Sequence, residues 1–319
     1  MPASSIYIAA PEADTGKSTI ALGIVHRLAA TVARVGVFRP ITRLGGDRKR
    51  GEAGRGGSTP MNLRRKPRSR TEGMPTLTDT VSTPDGACPV HLFTPEGSGP
   101  WPGVIMFPDA GGARDTFDEM GAKLAGHGYA VLVPDVYYRE GDWAPFSMST
   151  VFADAGERNR LMKMIGSLTQ DKVVADAGAL FDYLAARSEV SGDRFGVCGY
   201  CMGGRISLTL AGRLPDQVAA VASFHGGGLV TDAADSPHLL ADQMTATVYV
   251  GGAENDASFT ADHAEQLEKA LTSAGVEHRI EWYQAAHGFA VPDNASYDAA
   301  AAERHWAAMT EVFGSALRR

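Results

Sequence analysis

From residue 76 onward, short apolar or alternating runs are separated by longer stretches with helical spacing. Residues 76–83 and 90–94 alternate around Pro84-Asp85-Gly86 and predict a hairpin. Apolar runs at 103–108 and 129–134 read as buried strands, and further strands are expected at 195–198, 218–224, 247–251 and 277–283. Between them, 115–126, 171–187, 260–274 and 296–317 carry the periodicity of helices. Strands that alternate with helices predict an α/β fold, with a mostly parallel sheet covered by helices on both faces. Residues 135–166 show no regular pattern and hold Trp143, Phe146, Met148 and Phe152; such aromatic side chains more often join the core, and their place between strand and helix also suits a pocket wall and lid.

The first 73 residues read differently. A strand at 6–11, the run Gly16-Lys17-Ser18, a helix over 18–33 and a strand at 35–39 make the opening of a P-loop unit. Position 11 is Pro where the motif has its first Gly, and no acidic strand end for magnesium follows. One βαβ unit buries too little apolar surface to fold alone. Residues 43–73 are rich in Gly, Arg, Ser and Pro and almost free of apolar side chains, so they are expected to form a disordered linker. The expected organisation is therefore a partial P-loop-like fragment at 1–42, a basic linker at 43–73 and a catalytic domain at 74–319. On this reading residues 1–73 are dispensable for folding and activity.

Charge sharpens the division. The net charge is −7. Residues 43–72 carry ten Lys/Arg against three Asp/Glu, so the body beyond them is strongly acidic and nucleic acid is not its expected partner. No apolar run is long enough to span a bilayer and no signal peptide is evident. Three cysteines suit a reducing cytoplasm better than a disulfide framework.

The chemistry centres on Gly199-Tyr200-Cys201-Met202-Gly203, between the strand at 195–198 and a helix through 206–211. A Gly-x-nucleophile-x-Gly turn from strand to helix is a nucleophile elbow. Here it presents a cysteine at a helix N-terminus, and the thiolate is the reactive form of that side chain. In this topology an acid and then a histidine follow the nucleophile. Glu254 and Asp256 lie in the loop after the strand at 247–251, and His287 follows the strand at 277–283. The expected roles are Cys201 as nucleophile, His287 as general base and Asp256 as orienter, with Glu254 as the rival acid. The oxyanion would sit on the N–H of Met202 and on a second N–H, from Ala110 or Gly111 in Pro108-Asp109-Ala110-Gly111-Gly112. His225, after the strand at 218–224, is expected to be structural or to touch substrate.

Gly199-Tyr-Cys-Met-Gly-Gly204, Pro134-Asp-Val-Tyr137, Gly251-Gly-Ala-Glu-Asn-Asp256 and Ala286-His-Gly-Phe289 together resemble the dienelactone hydrolases, over residues 76–317. The resemblance implies an α/β-hydrolase that opens an enol-lactone in the degradation of aromatic compounds. It also implies a carboxylate after the first core strand that gates the thiol, a place held here by Asp109. Arginines near the lid would hold the substrate carboxylate, and Arg139, Arg158 and Arg160 are available, with Tyr137 beside them. The P-loop-like fragment at 1–42 separately resembles the start of the N-terminal dethiobiotin-synthetase-like domain of bacterial phosphate acetyltransferases.

Other readings of the same residues compete. Cys198-Gly-Tyr-Cys201 spells a redox motif, but its first Cys falls inside a strand. Cys88 and Cys198 are expected to be buried hydrophobes. The remaining histidines lack ligand spacing, so neither metal nor cofactor is expected. The expected partner is a small ester or lactone, bound by a monomer or homodimer. Alternatives are a non-catalytic binding protein on the same fold, a thiol oxidoreductase using Cys198 and Cys201, and a nucleotide-binding module centred on Lys17.

Overall fold

A computed structural model describes residues 76–318; the expectations for residues 1–73 lie outside the described residues. The chain runs β1 (Thr76–Thr83), β2 (Gly86–Phe93), β3 (Trp101–Phe107), α1 (Asp115–Ala125), β4 (Ala130–Pro134), α2 (Ala155–Ser167), α3 (Gln170–Ala185) and β5 (Val190–Tyr200). It continues through α4 (Met202–Arg213), β6 (Val218–Phe224), β7 (Thr247–Ala253), α5 (Ala261–Ala274), β8 (His278–Tyr283) and α6 (Ala299–Leu317). Single 3-10 segments form at Tyr138–Glu140 and Pro237–Gln243.

The eight strands make one sheet in the order β1-β2-β4-β3-β5-β6-β7-β8. The β1–β2 and β2–β4 pairs are antiparallel and the rest parallel. The apolar runs require this layout. β4 is buried at every position, as a central strand covered on both faces must be. Along β3, Ile105 and Phe107 join one core cluster and Val104 and Met106 the other, so alternate side chains feed the two layers of helices.

The stretch expected to be irregular contains a helix, α2. Only Leu161 and Met164 of it are buried, which leaves little apolar periodicity to read. Its start is nevertheless encoded, because the Asp154 side chain accepts a hydrogen bond from the Glu157 N–H and caps it. Several strands also run longer than their apolar cores, β5 most of all: it begins with five half-buried or exposed residues before the buried run to Tyr200.

Candidate active site

The side chains of interest leave the carboxyl ends of neighbouring parallel strands, where open α/β sheets place their sites. Cys201 follows β5, His225 follows β6, Asp256 the end of β7 and His287 the end of β8, and the 108–112 loop follows β3. A parallel sheet thus gathers residues that lie far apart in sequence.

Cys201 occupies the N-cap of α4 with φ 52 and ψ −111, a left-handed strain typical of a nucleophile elbow. Two glycines make the turn possible. A Cβ on Gly199 would lie 2.1 Å from the Gly203 carbonyl oxygen, and one on Gly203 would lie 2.3 Å from that of Phe107. The start of α4 therefore presses directly on the end of β3. We expect Gly203→Ala to lower unfolding stability by at least about 2 kcal/mol, because rigid backbone on both sides leaves the methyl no room. A urea melt within a few tenths of the parent would show slack that the packing does not suggest.

His287 and Asp256 meet at 2.6 Å, Nδ1 to Oδ2. Asp256 is almost wholly buried, which alone would raise its pKa, but hydrogen bonds from His287 and Ser258 outweigh burial and hold it below the ordinary 3.8. It is therefore a carboxylate and can only accept, so the imidazole must donate from Nδ1 and keep Nε2 for chemistry. Ser258 completes the acceptor: its N–H and its hydroxyl both donate to Asp256 Oδ1, at 2.8 and 2.6 Å. Burial disfavours the imidazolium, but the hydrogen bond to Asp256 and the neighbouring Cys201 sulfur prevail and push the pKa of His287 up to about 10. Of the two acids available in this loop, Asp256 is the one bonded to the imidazole, and Glu254 is exposed. Ser258 is not among the expected site residues; its signal is its place two residues after the acid, where a side chain closes a local turn.

Of Ala110, Gly111 and Gly112 in the loop after β3, one has an unspent backbone donor. The Gly111 N–H donates to Asp109 Oδ1 at 2.9 Å and the Gly112 N–H to the Asp109 carbonyl at 3.0 Å. The Tyr137 hydroxyl donates to the Ala110 carbonyl at 2.9 Å and lies 3.5 Å from the sulfur of Met202. Among the described residues the Ala110 N–H has no acceptor, and the Met202 N–H, at the first position of α4, has no intrahelical one. Of the alternatives Ala110 and Gly111, only Ala110 is free to donate.

The other candidates fall in different places. Asp109 is buried, and its carboxylate takes hydrogen bonds from Arg114, Gly111 and Asn294; the thiol that the resemblance gave it as a partner is not among them. Arg139 is paired with Asp176 and Asp85, across the β1–β2 hairpin and α3, and is not brought to Cys201. Arg158 is exposed on α2, and Arg160 is held by Glu157 and stacks over Phe146 at 3.7 Å. Tyr137 is at the site. Its ring meets Trp143 edge-on at 5.5 Å, and Trp143 and Met148 close over Gly112 and Gly111, so the lid residues wall the loop.

His225 is fully buried with φ 36, its ring 5.1 Å from that of His287, and neither ring nitrogen has a partner among the described residues. Burial drives its pKa well below the ordinary 6.5 and keeps it neutral, which makes it a wall behind His287. Cys88 and Cys198 are free and buried, and burial pushes the Cys88 thiol up to about 12.

The dienelactone hydrolase family model matches residues 88–317. The "Putative carboxymethylenebutenolidase" of Synechocystis sp. is 28% identical over 232 residues, covering 72% of this chain and 92% of its own. The protein of the same name from Escherichia coli O157:H7 is 30% identical over 244 residues, 74% of this chain and 85% of its own. Among solved structures, a "Putative Dienelactone Hydrolase" of Klebsiella pneumoniae superposes with a TM-score of 0.67 at 25% identity, covering 76% of this chain and 99% of that one. A dienelactone hydrolase-like promiscuous phosphotriesterase from metagenomic libraries gives 0.61 at 28% identity, covering 76% and 98%. With the elbow, the strand order and these likenesses in agreement, the chain belongs to the dienelactone hydrolase family and is a hydrolase.

Proposed function

We propose that the chain hydrolyses a carboxylic ester or lactone through a thioester on Cys201. One observation carries this reading: a sulfur stands on a strained elbow at the start of a helix, and the imidazole whose basicity it helps to raise has its Nδ1 fixed by a buried carboxylate at 2.6 Å. The thiolate attacks the carbonyl carbon, and the carbonyl electron pair moves onto oxygen. That oxygen is met by the N–H groups of Met202 and Ala110. On collapse the C–O bond to the leaving group breaks, and the leaving oxygen takes the proton from His287 Nε2. A water then gives its proton to Nε2, its oxygen bonds to the acyl carbon, and the C–S bond breaks. Asp256 keeps the imidazole in the right tautomer throughout.

The substrate class follows from the resemblance, which favours an enol-lactone. The apolar wall of Tyr137, Trp143, Met148 and Met202 suits an unsaturated acyl group. Neither Arg139, paired with two carboxylates, nor exposed Arg158 argues for a substrate carboxylate held by those residues. A free-thiol enzyme of this kind suits the cytoplasm. A thiol oxidoreductase is disfavoured, because Cys198 lies in a strand with no exposed surface.

The test is to quench the reaction with a p-nitrophenyl ester in acid within the first turnover and map the product by mass spectrometry. The acyl mass should sit on the peptide containing Cys201, with a burst of p-nitrophenol equal to the enzyme. Acyl label on another residue, or turnover with Cys201 unmodified at every time point, would falsify the thioester route.

A further inference from the structure

We propose that Arg114 is a positioning residue that sets the oxyanion donor, by locking the 108–112 loop to the loop that follows His287. The inference rests on the reading of Ala110 N–H as an oxyanion donor, and deepens it.

Arg114 stands just before α1 and its side chain is 7% exposed. A guanidinium has five N–H donors in a planar fork, and here all five are used. Nη1 and Nη2 meet Asp109 Oδ1 and Oδ2 at 2.7 and 3.0 Å. Nε and Nη2 meet Asp293 Oδ2 and Oδ1 at 2.7 and 2.8 Å. The remaining Nη1 hydrogen reaches the Gly112 carbonyl at 3.0 Å, and the cation lies 4.9 Å from the centre of the Phe117 ring. Asp109 is equally spent, since Asn294 and the Gly111 N–H fill the places that Arg114 leaves.

Three consequences follow. Asp109 has no lone pair left for the thiol, so its role is to fix the loop. Arg114 has no donor left for a substrate carboxylate. Of the backbone N–H groups of Ala110, Gly111 and Gly112, only that of Ala110 is left uncommitted among the described residues. A buried network this fully satisfied is rigid, and bidentate pairing fixes angle as well as distance. Asp293 and Asn294 lie six and seven residues after His287, in a loop tied back by the Ser296 hydroxyl to the His287 carbonyl at 2.5 Å. The donor and the base are thereby held in one frame, although 177 residues separate Ala110 from His287 in the sequence.

The experiment uses the full chain and the variants Arg114→Lys, Arg114→Met and Asp293→Asn, with p-nitrophenyl butyrate as the ester probe and iodoacetamide as the probe of Cys201. Lysine keeps the charge but loses the fork, so it should not rescue. In Arg114→Lys, kcat should fall about 100-fold or more, the scale of losing one oxyanion donor, with KM within about threefold. Alkylation of Cys201 forms no oxyanion, so its rate should stay within about threefold of the parent. Amide hydrogen exchange should quicken at residues 109–112 and 288–294 and not elsewhere.

A lysine variant that keeps the parental kcat would overturn the inference. So would turnover and alkylation falling together, or unchanged exchange at both loops. Should Arg114→Met fail to fold, the lysine and Asp293→Asn variants still decide. If the parent itself shows no Cys201-dependent turnover, the proposed function is wrong, and the exchange data alone judge the coupling of the two loops.

Discussion

Cys201→Ala is expected to remove ester turnover by about 10⁶-fold in kcat, the scale seen when a hydrolase nucleophile is deleted from an otherwise intact triad. The fold should survive. Cys201 is only half-buried and its side chain makes no hydrogen bond that the sheet depends on, whereas its backbone bonds, N–H to the Phe224 carbonyl and carbonyl to the N–H groups of Gly204, Arg205 and Gly227, remain available to alanine. The variant should even relieve little strain, because alanine at φ 52 is no more comfortable than cysteine. The same residue should be the one that iodoacetamide finds. Cys88 and Cys198 are 1% and 0% exposed, and burial raises both of their pKa values, so neither offers an accessible thiolate. Alkylation followed by peptide mapping checks both parts. Activity that persists after complete modification of Cys201, or a Cys201→Ala enzyme within tenfold of the parent, would take the sulfur out of the mechanism.

Asp256→Asn is expected to lower kcat by about 10³- to 10⁴-fold and to move the alkaline limb of the pH profile toward neutrality. The sign follows from the direction of the shift. His287 is raised from the ordinary 6.5 to about 10 against the effect of burial, by its bond to Asp256 and by the neighbouring Cys201 sulfur. Its imidazolium, which must give a proton to the leaving oxygen, therefore persists through the neutral range, and kcat/KM should fall only as pH rises through about 10. An amide cannot stabilise that cation as a carboxylate does, and its NH2 group can turn the imidazole into the wrong tautomer. Stability should report the same linkage. A group raised on folding contributes stability that is fully present below its ordinary value and is lost on the way up through the folded one. The parent should therefore lose melting temperature between about pH 6.5 and 10 from this pair, and the Asp256→Asn variant should lose less over that window. An unchanged alkaline limb in the variant would show that Asp256 does not hold the imidazolium.

Much of this arrangement is legible in the order of the amino acids. The elbow is legible because its requirements are local: Gly199 and Gly203 flank Cys201, and only hydrogen fits where a Cβ would meet backbone oxygen at 2.1 and 2.3 Å. The sheet is legible because burial on both faces leaves runs such as Ala130–Pro134 without a polar break. The placing of Asp256 and His287 after Cys201 is legible because parallel strands with helical crossovers deliver their carboxyl ends to one edge. Helix α2 is obscure because only two of its residues, Leu161 and Met164, are fully buried.

The partners of the charged side chains are not legible in that way. Asp109 lies where the resemblance expects a gate for the thiol, and Arg139 near where it expects a grip on substrate. The structure spends the first on Arg114 and the second on Asp176 and Asp85. The reason is physical. Backbone direction and apolar spacing are set by neighbours a few residues away, so the order of the amino acids already carries the strand cores, the elbow and the residues available for chemistry. An ion pair is set by which loops the finished sheet brings within about 3 Å, as Arg114 meets Asp293 across 179 positions. Which of the available charges face the site, and which are already taken, is therefore fixed by the folded arrangement of the loops.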